Sequence, residues 1–224
     1  MNTKFGYPNE RIDLIYPGIS ERVKRVADEG ILESVAAKYG LPRNYILFMG
    51  EFGRHKNLEG LVKAYLSLDA SLRKRHKLVI IGRGEELYPT KESSRLDLAG
   101  FKSSDIITPG YILMEDKPAI YSMACAFVSP TLYEGFPLFI LEAMACGVPV
   151  ACSGIETVNE FVGDAVLKFN SHERDSIKGA LEKILTDASI RSSLAQKGLE
   201  RARRFSWSNT ARQTLDLYNN VMKK

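Results

Sequence analysis

Residues 44–65, NYILFMGEFGRHKNLEGLVKAY, read as a strand, a loop and a helix in succession. Tyr45 to Met49 is wholly apolar and stops at Gly50, the pattern of a strand buried on both faces. After the loop EFGRHK, residues Leu58, Leu61, Val62 and Tyr65 fall at i, i+3, i+4 and i+7, one stripe of an amphipathic helix that Asn57 is placed to cap.

The same phrase recurs along the chain. KLVIIGRGEE (77–86) is a strand running into a glycine loop, and DIITPGYI (105–112) carries a strand at Ile106–Thr108 with a turn after it. Ala126–Val128, VPVAC (148–152) and Val166–Phe169 supply three more strands, with helices expected over 115–124, 137–146 and 173–185. Upstream, Ile12–Tyr16 reads as a strand before the Pro17-Gly18 turn, and 21–39 as a helix stopped by Gly40 and Pro42. Apolar strands alternating with helices predict an α/β domain, a Rossmann-like doubly wound parallel sheet flanked by helices. In such sheets ligands lie beyond the carboxyl ends of the strands, so loops 51–57, 82–85 and 131–137 are expected to face one crevice. The chain ends on helices over 188–204 and 207–222. The last sets Trp207, Ala211, Leu215, Tyr218 and Met222 on one side, a face that needs its own sheet, a second domain or another chain to cover it.

Composition narrows the function classes. The 224 residues are 45% hydrophobic, enough for a substantial core, and no apolar run reaches membrane-spanning length. MNTKFGYPNER lacks the apolar section of a signal peptide, which points to a cytoplasmic protein. From Arg191 onward there are eight basic and two acidic residues, so the tail carries +6 of the net +4 and the rest sums to −2. Such a tail fits a solvated helix face or peripheral contact with an anionic inner membrane surface; no aromatic-interleaved basic stripe suggests nucleic acid. Cys125, Cys146 and Cys152 lack metal or redox spacing and read as buried free thiols.

The loops carry the chemistry. Lys56, beside Arg54 and His55, stands just ahead of a helix N-terminus, where free N–H groups and the dipole favour an anion; a solvated basic turn is the alternative. Gly82-Arg83-Gly84 lacks the third glycine of a dinucleotide fingerprint, and close backbone packing alone would account for it. TLYEGFPLFILEAMACGVPVACSG (131–154) sets Glu134 and Glu142 in an almost wholly apolar segment. A buried carboxylate needs a partner, and one facing neutral hydroxyls makes charge-assisted hydrogen bonds. Paired glutamates also run glycoside hydrolysis, but Glu142 lies at least a turn into its helix, which sets the two apart. Neither a nearby His nor an Asp-rich cluster supports a metal. His76 and His172 read as surface residues.

The 131–154 segment, with EGF and LEAMACG.PV framing two glutamates separated by seven residues, resembles the signature of the retaining glycosyltransferases of family 4. The chain as a whole is similar to the C-terminal domain of their two-domain GT-B architecture. RIDLIYPGIS, YILFMGEFGRHKNLEGLVKAY, LVIIGRGEE, MACAFVSPTLYEGF, ETVNEFVGDA and RFSWSNTARQTLDLY agree in order and spacing over nearly residues 6 to 220. The resemblance implies a nucleoside-diphosphate sugar donor (UDP, GDP or ADP type), no metal, an interdomain linker and lead-in over 1–20, and a donor domain over 21–224. It places Glu142 on the ribose, Glu134 on the sugar, Lys56 on the diphosphate, with Arg54 expected to compensate for the family arginine that position 51 lacks, and the backbone of Gly135, Phe136 and Leu138 at the sugar-phosphate end. Gly110 and Tyr111 would meet the base.

Two positions depart from the family pattern. Glu51 stands where arginine commonly follows the glycine, and Pro137 replaces the last glycine of EGFG, removing an N–H donor. The resemblance further implies an acceptor-binding N-terminal domain, in the same chain or a partner, onto which 207–222 would pack. Alone, this chain is expected to bind donor rather than complete transfer. A non-catalytic nucleotide-sugar module, or part of a GT-B epimerase or phosphorylase, are the alternatives.

Overall fold

A computed structural model describes residues 8, 12–82 and 104–223. Six parallel strands build the sheet: β1 (Tyr45–Met49), β2 (Leu78–Ile81), β3 (Ile106–Ile107), β4 (Ala124–Ser129), β5 (Val150–Ser153) and β6 (Leu167–Phe169), in the order β3-β2-β1-β4-β5-β6. The chain winds outward from β1 in one direction and from β4 in the other, the doubly wound topology expected of the alternating pattern.

Both faces are covered, which is why the central strands have no polar side. Tyr45, Leu47 and Met49 join one core with Val79, Ile81 and Phe127. Ile46 and Phe48 point the other way, into a second core with Leu78 and Ile80. The first core is closed by α1 (Glu29–Tyr39), α4 (Lys117–Met123), α5 (Leu138–Ala145) and α6 (Glu156–Val162). The second is closed by α2 (Leu58–Leu66), α3 (Ala70–Arg75) and α7 (Arg174–Thr186). Next come α8 (Ala188–Ala202), packed on α5 and α7, and the terminal α9 (Trp207–Met222).

Three local expectations are corrected. Ile12–Tyr16 forms no strand, since among the described residues no strand lies beside it; Leu14 is 65% exposed, and Ile19 makes an isolated bridge, its N–H donating to the Phe205 carbonyl at 3.0 Å. The helix expected from 21 begins at Glu29, where the Asp28 carboxylate accepts from the Ile31 N–H at 3.0 Å; upstream, the Val26 N–H is held instead by Ser122 Oγ. Asn57 does not cap α2 with its side chain. It has φ 51°, and its amide donates to the Ser171 carbonyl at 2.8 Å, tying α2 to the loop after β6. Helices α3 and α6 lie in stretches that carried no helix expectation. Gly147, with φ 70°, closes α5 as expected, and the Val148 N–H satisfies the Ala143 carbonyl.

Candidate functional site

Strand order reverses between β1 and β4, so the crevice lies over their carboxyl ends. The loop after β1 makes a short 3-10 turn, Arg54–Lys56, and the loop after β4 leads into α5. The two are stitched together: the Leu132 N–H donates to the His55 carbonyl at 2.7 Å, and Thr131 Oγ1 donates to the same carbonyl at 3.1 Å. The third loop meets them at its first residue. A Cβ on Gly82 would lie 2.1 Å from the Gly50 carbonyl oxygen and 2.7 Å from the Phe52 ring, so close packing demands the glycine. Arg83, Gly84 and the rest of the expected 82–85 loop lie outside the described residues.

This stitching brings Lys56 onto Glu134. Lys56 Nζ donates to Glu134 Oε2 at 2.5 Å, with the two side chains only 12% and 17% exposed. The expectation of a cation held toward an anion and an acid held toward hydroxyls therefore meets a closed pair. Arg54 is exposed and makes no ion pair among the described residues, and Glu51 is exposed as well.

Glu142 faces the same crevice wall from the second turn of α5. Its Oε2 accepts from Lys117 Nζ at 2.6 Å and from the Tyr121 hydroxyl at 3.0 Å. Lys117 is 7% exposed and lies 4.8 Å from the centroid of the Phe139 ring. Burial, then the Glu142 charge, push the Tyr121 hydroxyl well above its usual range, so it stays a donor. Burial and the same carboxylate raise the Cys146 thiol to about 12. Gly50 joins the two ion pairs in space: a Cβ there would rest at 4.0 Å from both Lys56 Cε and Phe139 Cε2. Sequence reasoning missed Lys117 and Tyr121. The residues sit at i and i+4 on α4, but a lysine opening a helix reads as solvent-facing.

Phe136 turns its ring away from the crevice into a cluster with Tyr16, Phe161 and Phe205, at 4.7 Å centroid separation from Phe161. Pro137 has φ −86° and ψ 64°, an inverse γ-turn in which the Leu138 N–H donates to the Phe136 carbonyl at 3.0 Å. The Leu138 N–H expected to line a ligand is therefore engaged, whereas the Gly135 and Phe136 N–H groups expected beside it make no such backbone bond among the described residues. Gly110, with φ 81°, and the exposed Tyr111 lie at the same sheet edge but past β3, two strands out from β1.

Other polar features are structural. Ser153 Oγ donates to the Thr131 carbonyl at 2.5 Å and meets Ser171 Oγ at 2.5 Å, binding together the ends of β4, β5 and β6. An open concavity of about 480 Å³ between Gly154 and His172 lies at the β6 edge, away from the paired acids. Among the described residues no group of three His, Cys, Asp or Glu side chains is placed to hold a metal, and no helix is long and apolar enough to cross a membrane.

The family model of the glycosyl transferases, group 1, matches residues 34–201. The O-antigen chain mannosyltransferase B of Escherichia coli is 37% identical over 220 residues, 96% of this chain and 56% of that protein. The serotype-specific mannosyltransferase WbdA of Escherichia coli is 33% identical over 195 residues, 86% of this chain and 24% of that protein. Sucrose-phosphate synthase from Thermosynechococcus elongatus superposes with a TM-score of 0.78 at 26% identity, over 94% of this chain and 53% of its own. A glycosyltransferase from Rickettsia africae reaches 0.83 over the whole chain at 18% identity, covering 60% of its own length. The chain thus spans about half or less of the curated relatives it matches, and its architecture is that of the C-terminal half of a GT-B fold.

Proposed function

Because the chain belongs to the glycosyl transferases, group 1, family, we propose that it is the donor-binding half of a retaining glycosyltransferase. In this reading a sugar passes from a nucleoside diphosphate to an acceptor held by a further domain of comparable size, and this half alone binds donor without completing transfer. The two Escherichia coli relatives are mannosyltransferases, which favours mannose as the sugar.

The observation that carries this reading is the pair of acid–lysine contacts at the switch between β1 and β4. Glu142 is assigned the ribose hydroxyls and Glu134 hydroxyls of the sugar, each as a charge-assisted acceptor. Lys56, at the head of α2, is assigned the diphosphate. Charge developing on the departing diphosphate is then stabilised by Lys56 and by the Gly135 and Phe136 N–H groups, with no side chain acting as covalent nucleophile. Donor entry requires the Lys56 ammonium to be shared between Glu134 and phosphate. The base is assigned to the turn at Gly110 and Tyr111, and Arg54 supplies a second cation where Glu51 does not.

Calorimetric titration of UDP, GDP and ADP and their sugars, mannose donors included, tests the reading against Glu142→Ala. The wild-type chain is expected to bind at least one nucleoside diphosphate and the variant to lose that binding; no binding by wild type to any of them would sink it. A second reading, a donor-binding module without turnover, is favoured by the γ-turn at Pro137, which engages one backbone donor and lacks another. Pairing the chain with an acceptor domain separates the two, since the module binds donor yet yields neither transfer nor hydrolysis.

A further inference from the structure

We propose that Lys117 is the positioning residue of the Glu142 carboxylate, presenting one oxygen to the ligand by holding the other; this rests on the assignment of Glu142 to the ribose. Both contacts made by Glu142 fall on Oε2, from Lys117 Nζ at 2.6 Å and the Tyr121 hydroxyl at 3.0 Å. Oε1 has no partner among the described residues and is left for a hydroxyl pair. Lys117 comes from the first turn of α4 and Glu142 from α5, so the arrangement also sets the spacing of two elements. The lysine ammonium lies over the Phe139 ring, 4.8 Å from its centroid, and its side chain is 8% exposed against 13% for Glu142.

Stability does not explain such a pair. Withdrawing two charges from water costs about as much as their attraction returns, and well-packed apolar residues at such positions commonly match or exceed an ion pair in stability. Two consequences do bear on binding. Two donors on Oε2 limit rotation of the carboxylate, lowering the ordering cost when ligand arrives. The positive charge also offsets a carboxylate that would otherwise repel a diphosphate bound in the same crevice.

The test compares each nucleoside diphosphate with its 2′,3′-dideoxy counterpart by calorimetry on the 224-residue chain. Wild type is expected to favour the ribose form by roughly tenfold or more, the range of a hydrogen bond to a charged group. In Lys117→Met that ratio should fall toward one, with a lowered melting temperature because Glu142 is left buried without its counter-ion. In Glu142→Gln the ratio is already lost, so adding Lys117→Met should change it no further, the non-additivity of residues acting through one group. A wild-type ratio in Lys117→Met overturns the proposal. Should that variant fail to fold, Lys117→Gln, which keeps an N–H donor without the charge, must show a reduced ratio, and an undiminished one overturns it equally. A wild-type chain that binds nucleoside diphosphate without preferring ribose instead overturns the assignment of Glu142, a distinguishable failure.

Discussion

Lys56 and Glu134 hold each other at 2.5 Å, so an incoming diphosphate competes with a carboxylate for the ammonium. Replacing Lys56 by Ala removes the cation and leaves Glu134 facing the phosphates. Nucleoside-diphosphate affinity should fall about 10- to 100-fold by calorimetry, as expected when a charged hydrogen bond is lost. The reverse change, Glu134→Gln, frees Lys56 and should leave nucleoside-diphosphate affinity equal or higher, while affinity for the diphosphate sugar drops relative to it. The thiols give an independent check on packing. Burial pushes Cys125, Cys146 and Cys152 each up to about 12, so almost none is thiolate at pH 8. Iodoacetamide should label the native chain very slowly and the urea-unfolded chain readily, followed by mass spectrometry.

At the scale of elements, two glycines mark where segments touch. A Cβ on Gly82 would overlap the Gly50 carbonyl, and one on Gly18 would lie 2.0 Å from the Trp207 nitrogen, where the N-terminal segment meets the start of α9. Backbone cannot yield as a flexible side chain can, so Gly82→Ala and Gly18→Ala should each lower the urea midpoint, by about 1–3 kcal/mol in stability. Gly82→Ala should also weaken nucleoside-diphosphate binding, because it displaces the 51–57 loop; Gly18→Ala should not. Asp28→Ala, away from both contacts, is expected to cost about 1 kcal/mol through the lost α1 cap. Helix periodicity and glycine punctuation placed most elements from sequence. The failures are tertiary in origin: the early start of α1 and the Asn57 cap are local signals overridden by Ser122 and Ser171, distant in the chain, and the strand expected at Ile12–Tyr16 finds no pairing strand among the described residues.

The whole molecule carries two further signatures. Asp105 is held below its usual range by Lys77 and Arg73, and Asp116 by Lys38 and Tyr39. A carboxyl lowered on folding contributes stability that is fully present above its unfolded value of 3.8 and is lost as pH falls through the folded value. These pairs should therefore leave the urea midpoint unchanged from pH 8 to about 5 and lower it progressively below about pH 4. Asp105→Asn should shrink that acid dependence. The second signature is α9, whose Trp207, Leu215, Tyr218, Val221 and Met222 are 54–78% exposed, with no residue of the helix buried. We assign that face to the further domain of the proposed function, and joining such a domain to the chain should protect Tyr218 and Trp207 from quenching by acrylamide.

Local chain chemistry was sufficient for the class of fold. Continuous apolar runs stay buried on both faces only in a covered parallel sheet, and the helices between them are the crossovers such a sheet requires. The same was true of the motif: two acids in an apolar segment must meet a partner or a ligand, which marked Glu134 and Glu142, while Lys56 was marked by its place just ahead of a helix N-terminus. Tertiary structure decided which partners they meet. Lys56 reaches Glu134 across 78 residues because β1 and β4 lie side by side at the switch, and Lys117 reaches Glu142 because α4 packs by α5. Ion pairing falls off within a few ångströms, whereas sequence separation says nothing of distance in space. The identity of each acid's counter-ion, and so which carboxylate oxygen remains for a ligand, was settled only when the sheet closed.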